Sequence, residues 1–158
     1  MSIRPLVWNP SESKLRDEMS ATVPFIEFHT LDESVQRLGF IQVIDAKGLS
    51  FKQLMAINPF DLLVGKNITE RAIPFKFHKI HVINVSRFVD MAFKVIRKVM
   101  SKELIERVEF HGVNLDAFYE QVPQKYLPQE LGGESAYPVL DATRIQMMDN
   151  KLRDLWGF

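Results

Sequence analysis

An α/β fold with a mainly parallel sheet is predicted by three features of the sequence. Short apolar runs alternate along the chain with segments of helical periodicity, an order that is typical of parallel sheets. The run over residues 79–85 has a nearly unbroken apolar centre, as expected for a strand that is covered on both faces. The 158 residues are 46% hydrophobic and 25% charged, which is the composition of one folded domain and excludes a disordered chain.

The N-terminal half is predicted to hold two strands and three helices. The predicted strands are residues 3–8 and 40–44, and the predicted helices are residues 12–30, 51–56 and 59–71. Pro10 should end the first strand, and Pro24 should bend the long helix. Pro59 stands in the first turn of its helix, where proline is favoured.

The C-terminal half is predicted to continue the same alternation. The predicted elements are a strand over 79–85, a helix from Ser86, a short helix after Ser101, a strand over 108–111, a helix over 115–121 and a turn-rich segment over 127–133. Ser86 is suited to cap its helix because its hydroxyl can accept a bond from the first turn. The pair Gly132-Gly133 is interpreted as a turn, since no lysine and helix start follow it to hold a phosphate.

A short amphipathic tail is expected beyond the main domain. Its apolar residues recur at helical spacing and are Ile145, Met148, Leu152 and Leu155. We therefore divide the chain into a domain over residues 1–138 and a helical tail over residues 139–158. Docking of this tail on its own domain is favoured over binding to a protein partner or a membrane.

Several classes of protein are disfavoured by composition. The chain has no cysteine, which excludes disulfides and cysteine nucleophiles and fits the cytoplasm. It has neither a signal peptide nor the roughly 18 apolar residues of a membrane span, so a soluble protein is expected. Its 20 basic and 20 acidic residues sum to zero, which argues against a protein held on nucleic acid by bulk charge.

The sequence contains no recognisable catalytic or metal-binding motif. The sequence has no nucleophile elbow, no phosphate-binding glycine loop and no dinucleotide fingerprint. The four histidines show no metal-ligand spacing, and His78 and His81 should point to opposite faces of one strand, so structural roles and no metal are expected. Asp45 after the second strand is interpreted as a cap for the next helix in preference to a catalytic carboxylate.

The neutral total hides a basic block. Residues 76–107 hold 8 basic and 3 acidic side chains, a net charge of +5, whereas residues 108–158 carry −4. Four of the basic residues share one arc of the helix after Ser86, opposite a stripe of apolar residues: Arg87, Lys94, Arg97 and Lys98. This face is either a solvated surface over a core or a site for reversible docking on an anionic membrane, and the sequence leaves both open.

Three segments resemble one family. They are residues 74–84 (PFKFHKIHVIN), residues 101–112 (SKELIERVEFHG) and residues 127–133 (LPQELGG). In this order and spacing they resemble the CRAL-TRIO lipid-binding domain family, in particular its tocopherol- and retinaldehyde-carrying branch, and the resemblance covers about residues 4–137. The family implies an α/β sandwich with a hydrophobic cavity, a mobile amphipathic gate helix and no catalysis or cofactor.

The resemblance also implies site residues. Lipid-binding positions carried over from the family are Met19, Thr22, Ile26, Phe40, Ile44, Ile68, Ile73, Phe75 and Ile80. The gate would be residues 84–107, with a stripe that faces the lipid: Phe88, Ala92, Val95 and Val99. The phosphoinositide or membrane site would include Lys76, Arg97, Lys98, Lys102 and Arg107, although Glu103 replaces one basic residue of the family's patch.

The function expected from this resemblance is the binding and transfer of a hydrophobic small molecule, with transient docking on anionic membranes. The chain would be a cytoplasmic, non-enzymatic carrier, peripheral at membranes. The family's N-terminal helical lobe is expected to be absent, so a monomer that is able to self-associate is predicted. A regulatory protein-interaction module on the same fold is the alternative, and a small α/β hydrolase has the least support.

Overall fold

Four parallel strands form one sheet in the order β1-β2-β3-β4. The computed structural model describes residues 2–3, 9–21, 23, 29, 33–72, 77–135, 150 and 153. The strands are β1 (Ser2–Ile3), β2 (Phe40–Asp45), β3 (Phe77–Ile83) and β4 (Val108–Phe110). Every neighbouring pair is parallel, which confirms the predicted α/β class with a parallel sheet.

The helices of the described residues connect and cover these strands. They are α1 (Leu15–Ala21), α2 (Glu33–Leu38), α3 (Phe51–Met55), α4 (Pro59–Asn67), α5 (Arg87–Ile96), α6 (Lys102–Arg107) and α7 (Asp116–Gln121). A π-helical turn, Ile68–Ala72, prolongs α4, and two 3-10 turns follow α7 at Gln124–Tyr126 and Gln129–Leu131.

Serine and asparagine caps fix where four of these helices begin. The side chains of Ser50, Asn58, Ser86 and Ser101 each accept a bond from a backbone N–H of the first turn. Such a cap satisfies a donor that the helix itself leaves unpaired, and its loss costs about 1 kcal/mol. The predicted cap at Ser86 is confirmed.

Several predictions differ from the structure. The strand predicted over residues 79–85 is Phe77–Ile83, and helix α2 (Glu33–Leu38) was not predicted. The expected gate over residues 84–107 is two helices, because α5 ends at Ile96 and the Ser101 hydroxyl starts α6 after a turn. Val99 lies in that turn and not on the helix. The predicted cap role of Asp45 is wrong: its Oδ1 accepts from the backbone N–H of Lys47 and from Asn84 Nδ2, while Ser50 caps the next helix. The predicted C-terminal helix lies outside the described residues except for Asn150 and Arg153.

The sheet has two differently covered faces. One, which we call the α7 face, packs Val43 and Ile83 against residues of α7 and of the segment that follows it: Phe118, Val122, Leu127 and Leu131. The other, the α6 face, packs Phe77 and Ile80 against Leu104 of α6. Burial of each large apolar side chain contributes about 1.5–3 kcal/mol, so both layers stabilise the sheet.

The turn predicted at Gly132-Gly133 is confirmed. Gly132 ends the last 3-10 turn with φ of 76°, in the left-handed region that glycine adopts without strain. A Cβ atom on Gly133 would lie 2.0 Å from the carbonyl oxygen of Leu127, so only glycine fits there. These two residues bring the chain back beside Leu127, where Ser135 N–H donates to the same carbonyl.

Candidate functional site

An apolar cluster on the α6 face brings together three of the predicted lipid-binding residues. Phe40 and Ile44 of β2 pack with Ile80 of β3, around Phe77 and Leu104. The rings of Phe40 and Phe77 lie 4.5 Å apart in an edge-to-face arrangement. Since β2 and β3 are adjacent and parallel, residues of equal register share a face, which is why separate stretches of sequence meet here.

The remaining predicted lipid-binding residues are not part of this cluster in the described structure. Met19 on α1 lies against α4, because a Cβ on Gly65 would come within 2.8 Å of its sulfur. Ile68 begins the π-helical turn directly after α4 and is half-buried. The other four lie outside the described residues: Thr22, Ile26, Ile73 and Phe75. Contact of any of these residues with a lipid stays a prediction.

Helix α5 packs on the sheet with a different stripe from the predicted one. Val89 is buried, and the ring of Phe93 lies 4.1 Å from that of Phe110 on β4. Phe88 and Val95, which were expected to face inward, are 53% and 55% exposed. Of the predicted stripe, only Ala92 and Val99 are half-buried.

The helix is apolar around more than half of its circumference, which explains why the predicted stripe differs from the buried one. At 100° per residue, one apolar arc centres on Val89 and Phe93 and the other on Phe88 and Val95. The sheet covers the first arc and leaves the second exposed. The periodicity of the sequence fits either arc equally well.

The exposed arc of α5 continues onto helix α3. Phe51 of α3 is 58% exposed and meets Phe88 edge to face, with ring centroids 5.8 Å apart. Exposed apolar side chains of the two contacting helices form what we call the α3–α5 patch: Phe51, Met55, Phe88, Met91 and Val95. Large adjoining apolar side chains on a surface are typical of sites that contact a membrane or another protein.

Basic side chains flank the α3–α5 patch. Arg87, Lys94, Arg97 and Lys98 are exposed on or just after α5. Lys94 pairs with Asp90 at 3.4 Å across one turn, and Arg97 lies 5.9 Å from the ring centre of Phe93. Lys102 is exposed on α6 with Glu106 4.0 Å away, and Arg107 is half-buried at the end of α6. Lys76 lies outside the described residues.

A cluster that the sequence reasoning missed lies on the α7 face. His81 Nδ1 and His111 Nε2 are 2.9 Å apart, and both side chains are buried. With Glu109 they form a group whose ligand atoms all lie within 4.8 Å of one another. Glu109 accepts from Gln121 at 2.5 Å and from Lys79 at 3.1 Å.

The electrostatics of this cluster favour neutral imidazoles and a charged carboxylate. Burial lowers the pKa of His81, and the neighbouring His111 lowers it further. Burial also lowers the pKa of His111, while Glu109 opposes that shift. Hydrogen bonds from Gln121 and Lys79 lower the pKa of Glu109.

The signal for the cluster was in the register of the strands. His81 pairs with Glu109 across β3 and β4, and His111 lies two residues beyond Glu109 and so on the same face. His78 is exposed and is not part of the cluster.

A surface cleft of about 180 Å³ lies elsewhere, between the segment before α1 and the start of α4. Its described lining residues are Pro10, Ser13, Lys14, Arg16, Ala56, Asn58 and Asp61. This polar lining includes none of the predicted lipid-binding residues.

None of the helices that the structure describes is long and apolar enough to cross a bilayer.

Comparison with known proteins tests the family resemblance. Clavesin-1 of Rattus norvegicus is 26% identical over 126 residues, which are 80% of this chain and 36% of that protein. Clavesin-2 of Homo sapiens is 28% identical over 126 residues, which are 80% of this chain and 38% of that protein. Alpha-tocopherol transfer protein-like of Mus musculus is 26% identical over 133 residues, which are 84% of this chain and 39% of that protein.

The chain thus spans less than two fifths of the length of these relatives. The CRAL/TRIO domain matches residues 2–133, which include all four strands and all seven helices described above. The match covers far more than half of the sequence and agrees with the parallel sheet. The chain belongs to the CRAL/TRIO domain family.

Proposed function

We propose that this chain binds a hydrophobic small molecule, such as a retinoid, a tocopherol-like molecule or another lipid, and exchanges it at anionic membranes without catalysing a reaction. Membership of the family supports the proposal, and one relative is named as transfer protein-like. The observation that carries it is the exposed α3–α5 patch beside the basic residues of α5. An anionic membrane surface offers both a hydrophobic interior and negative headgroups to this arrangement.

The ligand would lie against the α6 face of the sheet. Phe40, Ile44 and Ile80 present apolar side chains there and pack in one cluster with Leu104 of α6. Such a site holds its ligand by removing apolar surface from water, at about 25 cal/mol per Å². Among the predicted lipid-binding residues only Thr22 offers a hydroxyl, so shape would decide more than hydrogen bonding.

Docking would place α5 in the membrane interface. Phe88, Met91 and Val95 would enter the boundary between headgroups and acyl chains, as amphipathic helices do. The basic side chains at its border, Arg97 and Lys98 among them, would meet phosphoinositide or other anionic headgroups. Each such residue contributes about 1 kcal/mol, and salt screens this attraction, so the contact would be reversible.

Lipid binding is tested on the purified 158-residue chain by native mass spectrometry. We expect a co-purifying lipid, or uptake of a retinoid or tocopherol that is offered in detergent-free buffer. A chain that stays empty and takes up no offered lipid would contradict carriage. It would favour the alternative of a protein-interaction module, with the α3–α5 patch as its contact surface.

Docking is tested separately with liposomes that do or do not contain phosphoinositide. Replacing Lys94, Arg97 and Lys98 by Glu should release the chain, with a loss of roughly 100-fold or more in partitioning at low salt if each lost residue costs about 1 kcal/mol. A control with the same change of net charge reverses three exposed residues on other elements: Lys14, Arg37 and Lys125. Equal loss in both variants would show that only total charge matters and would contradict the docking face.

A further inference from the structure

Three potential metal ligands converge on the α7 face of the sheet. His81 comes from the middle of β3, Glu109 is its register partner on β4, and His111 follows β4 directly. One ligand atom from each lies within 4.8 Å of the other two. Because the three side chains are carried by adjacent strands, the sheet itself holds them in place.

The donor set is one that divalent transition metals use. Two imidazoles and one carboxylate bind Zn²⁺ in many proteins, with a fourth position left for water. Both imidazoles are held neutral by burial, which lowers the pKa of each ring, so each has a lone pair to donate. In the metal-free pair one of the two facing nitrogens donates its N–H to the other, so metal binding requires that ring to carry its proton on the outer nitrogen instead. His81 Nδ1 and His111 Nε2 then face the ion together.

The required adjustment is small for the two imidazoles and larger for the carboxylate, because the three ligand atoms are spread over as much as 4.8 Å. The two facing nitrogens are 2.9 Å apart, whereas nitrogens about 2.0–2.1 Å from a tetrahedral zinc ion are about 3.3 Å apart. Opening the pair by about 0.4 Å is within the reach of side-chain rotation. The carboxylate of Glu109 is partly exposed, with 32% of its side chain accessible, which gives an ion a path from solvent.

Neighbouring residues are arranged as an outer shell. Gln121 of α7 donates to one oxygen of Glu109, and Lys79 donates to the other. The bond from the neutral Gln121 amide can persist when a cation binds, and such a bond orients a ligating carboxylate. Phe118 forms an apolar wall, since its ring lies 5.4 Å from that of His81 and 5.3 Å from that of His111. Lys79 also brings a positive charge that opposes a cation.

We propose that His81, Glu109 and His111 form a binding site for a divalent transition metal ion of the Zn²⁺ class. The ion would link β3 to β4, beneath helix α7. Neither a lipid nor a membrane takes part in metal binding, so a test of this site does not depend on the proposed carrier function.

The test is a titration of Zn²⁺ into the tag-free 158-residue chain in competition with a chromophoric chelator. We expect binding of one equivalent. Co²⁺ in place of Zn²⁺ should give the intense visible absorption of a tetrahedral site. Absence of binding would overturn the proposal.

Three variants locate the ion. Glu109→Gln keeps the size of the side chain and an acceptor for Gln121 but removes the charged ligand, so binding should weaken about tenfold or more. Lys79→Met keeps the aliphatic stem and removes the opposing charge, so binding should tighten. His78→Gln, on the same strand but exposed, should bind as the unaltered chain does. Equal affinity in all variants would place the ion elsewhere and overturn the proposal.

Discussion

Asn84 Nδ2 donates a 2.7 Å hydrogen bond to Asp45 Oδ1 and so joins the carboxyl ends of β2 and β3. Asn84 has φ of 57°, the one positive value among the non-glycine residues that the structure describes. The next residue, Val85, donates its N–H to the carbonyl of His111, and Ser86 then caps α5. The orientation of α5 at its start is therefore set by a strained residue that a buried carboxylate holds.

Replacing Asn84 separates the strain from the hydrogen bond. Asn84→Ala loses the bond to Asp45 and leaves an ordinary side chain at positive φ, so it should lower the free energy of unfolding by about 2 kcal/mol. Asn84→Gly loses the same bond but removes the strain, and should cost about 1 kcal/mol less. Urea unfolding measures both. Equal losses would contradict a role for the left-handed conformation.

Acidification below about pH 6.5 should destabilise the metal-free chain. His81 and His111 have pKa values lowered from 6.5 by burial, so the unfolded chain binds protons at a higher pH than the folded chain does. Stability from these rings is fully present above the unfolded value of about 6.5. It is lost as the pH falls toward the lowered folded values.

This pH dependence is measured by urea unfolding at several pH values with EDTA present. A His111→Asn variant has one such ring fewer and should show a smaller decrease. Glu109, with its pKa lowered, adds a further decrease only below its usual value of 4.5. A free energy of unfolding that stays constant from pH 7.5 to about 5 would contradict the burial of neutral histidines.

Replacing Phe88 should weaken membrane binding without unfolding the chain. Phe88 is 53% exposed, so Phe88→Ser removes apolar surface that we propose enters the bilayer, and partitioning into anionic vesicles should fall about tenfold. The loss should persist at high salt, unlike that of charge reversal on α5.

The neighbouring residue supplies the matched control. Val89 is 7% exposed, and Val89→Ser should lower the free energy of unfolding by about 1–3 kcal/mol while leaving the α3–α5 patch in place. Vesicle flotation and thermal unfolding distinguish the two changes. If Phe88→Ser proved as destabilising as Val89→Ser, the orientation of α5 described here would be wrong.

Two substitutions, Gly133→Ala in the turn and Gly112→Ala outside it, test the turn that closes the α7 face. Gly133→Ala would drive a methyl group onto the carbonyl of Leu127, and should destabilise the chain by more than 2 kcal/mol because backbone atoms must move. A Cβ on Gly112 meets nothing within 4 Å, so Gly112→Ala should change the melting temperature little. Similar melting temperatures for the two variants would contradict the described turn.

Elements with local signals could be predicted from the sequence alone. Strand β3 is recognisable because its apolar run is covered on both faces, and Ser86 and Ser101 mark helix starts because their hydroxyls cap the first turn. Strands β2 and β4 were predicted to within one residue of their observed ends, since glycine, aspartate and turn residues border them.

Features that depend on two distant segments could not be predicted in the same way. Helix α5 carries two apolar arcs, and only the packing of Phe93 on Phe110 selects the buried one. The cluster of His81 and His111 depends on the register of two strands 30 residues apart, which no local pattern records. The apolar cluster on the α6 face was anticipated only through the family resemblance.

The sequential strand order bears on how the chain folds during synthesis. Because each strand pairs with the one before it, the sheet can be assembled in the order in which the ribosome delivers it. Residues 115–131, which cover Val43 and Ile83, emerge after all four strands. Until residues 115–131 have emerged, the α7 face of the nascent sheet exposes its apolar side chains to solvent. A chaperone would bind the nascent chain most usefully in this interval.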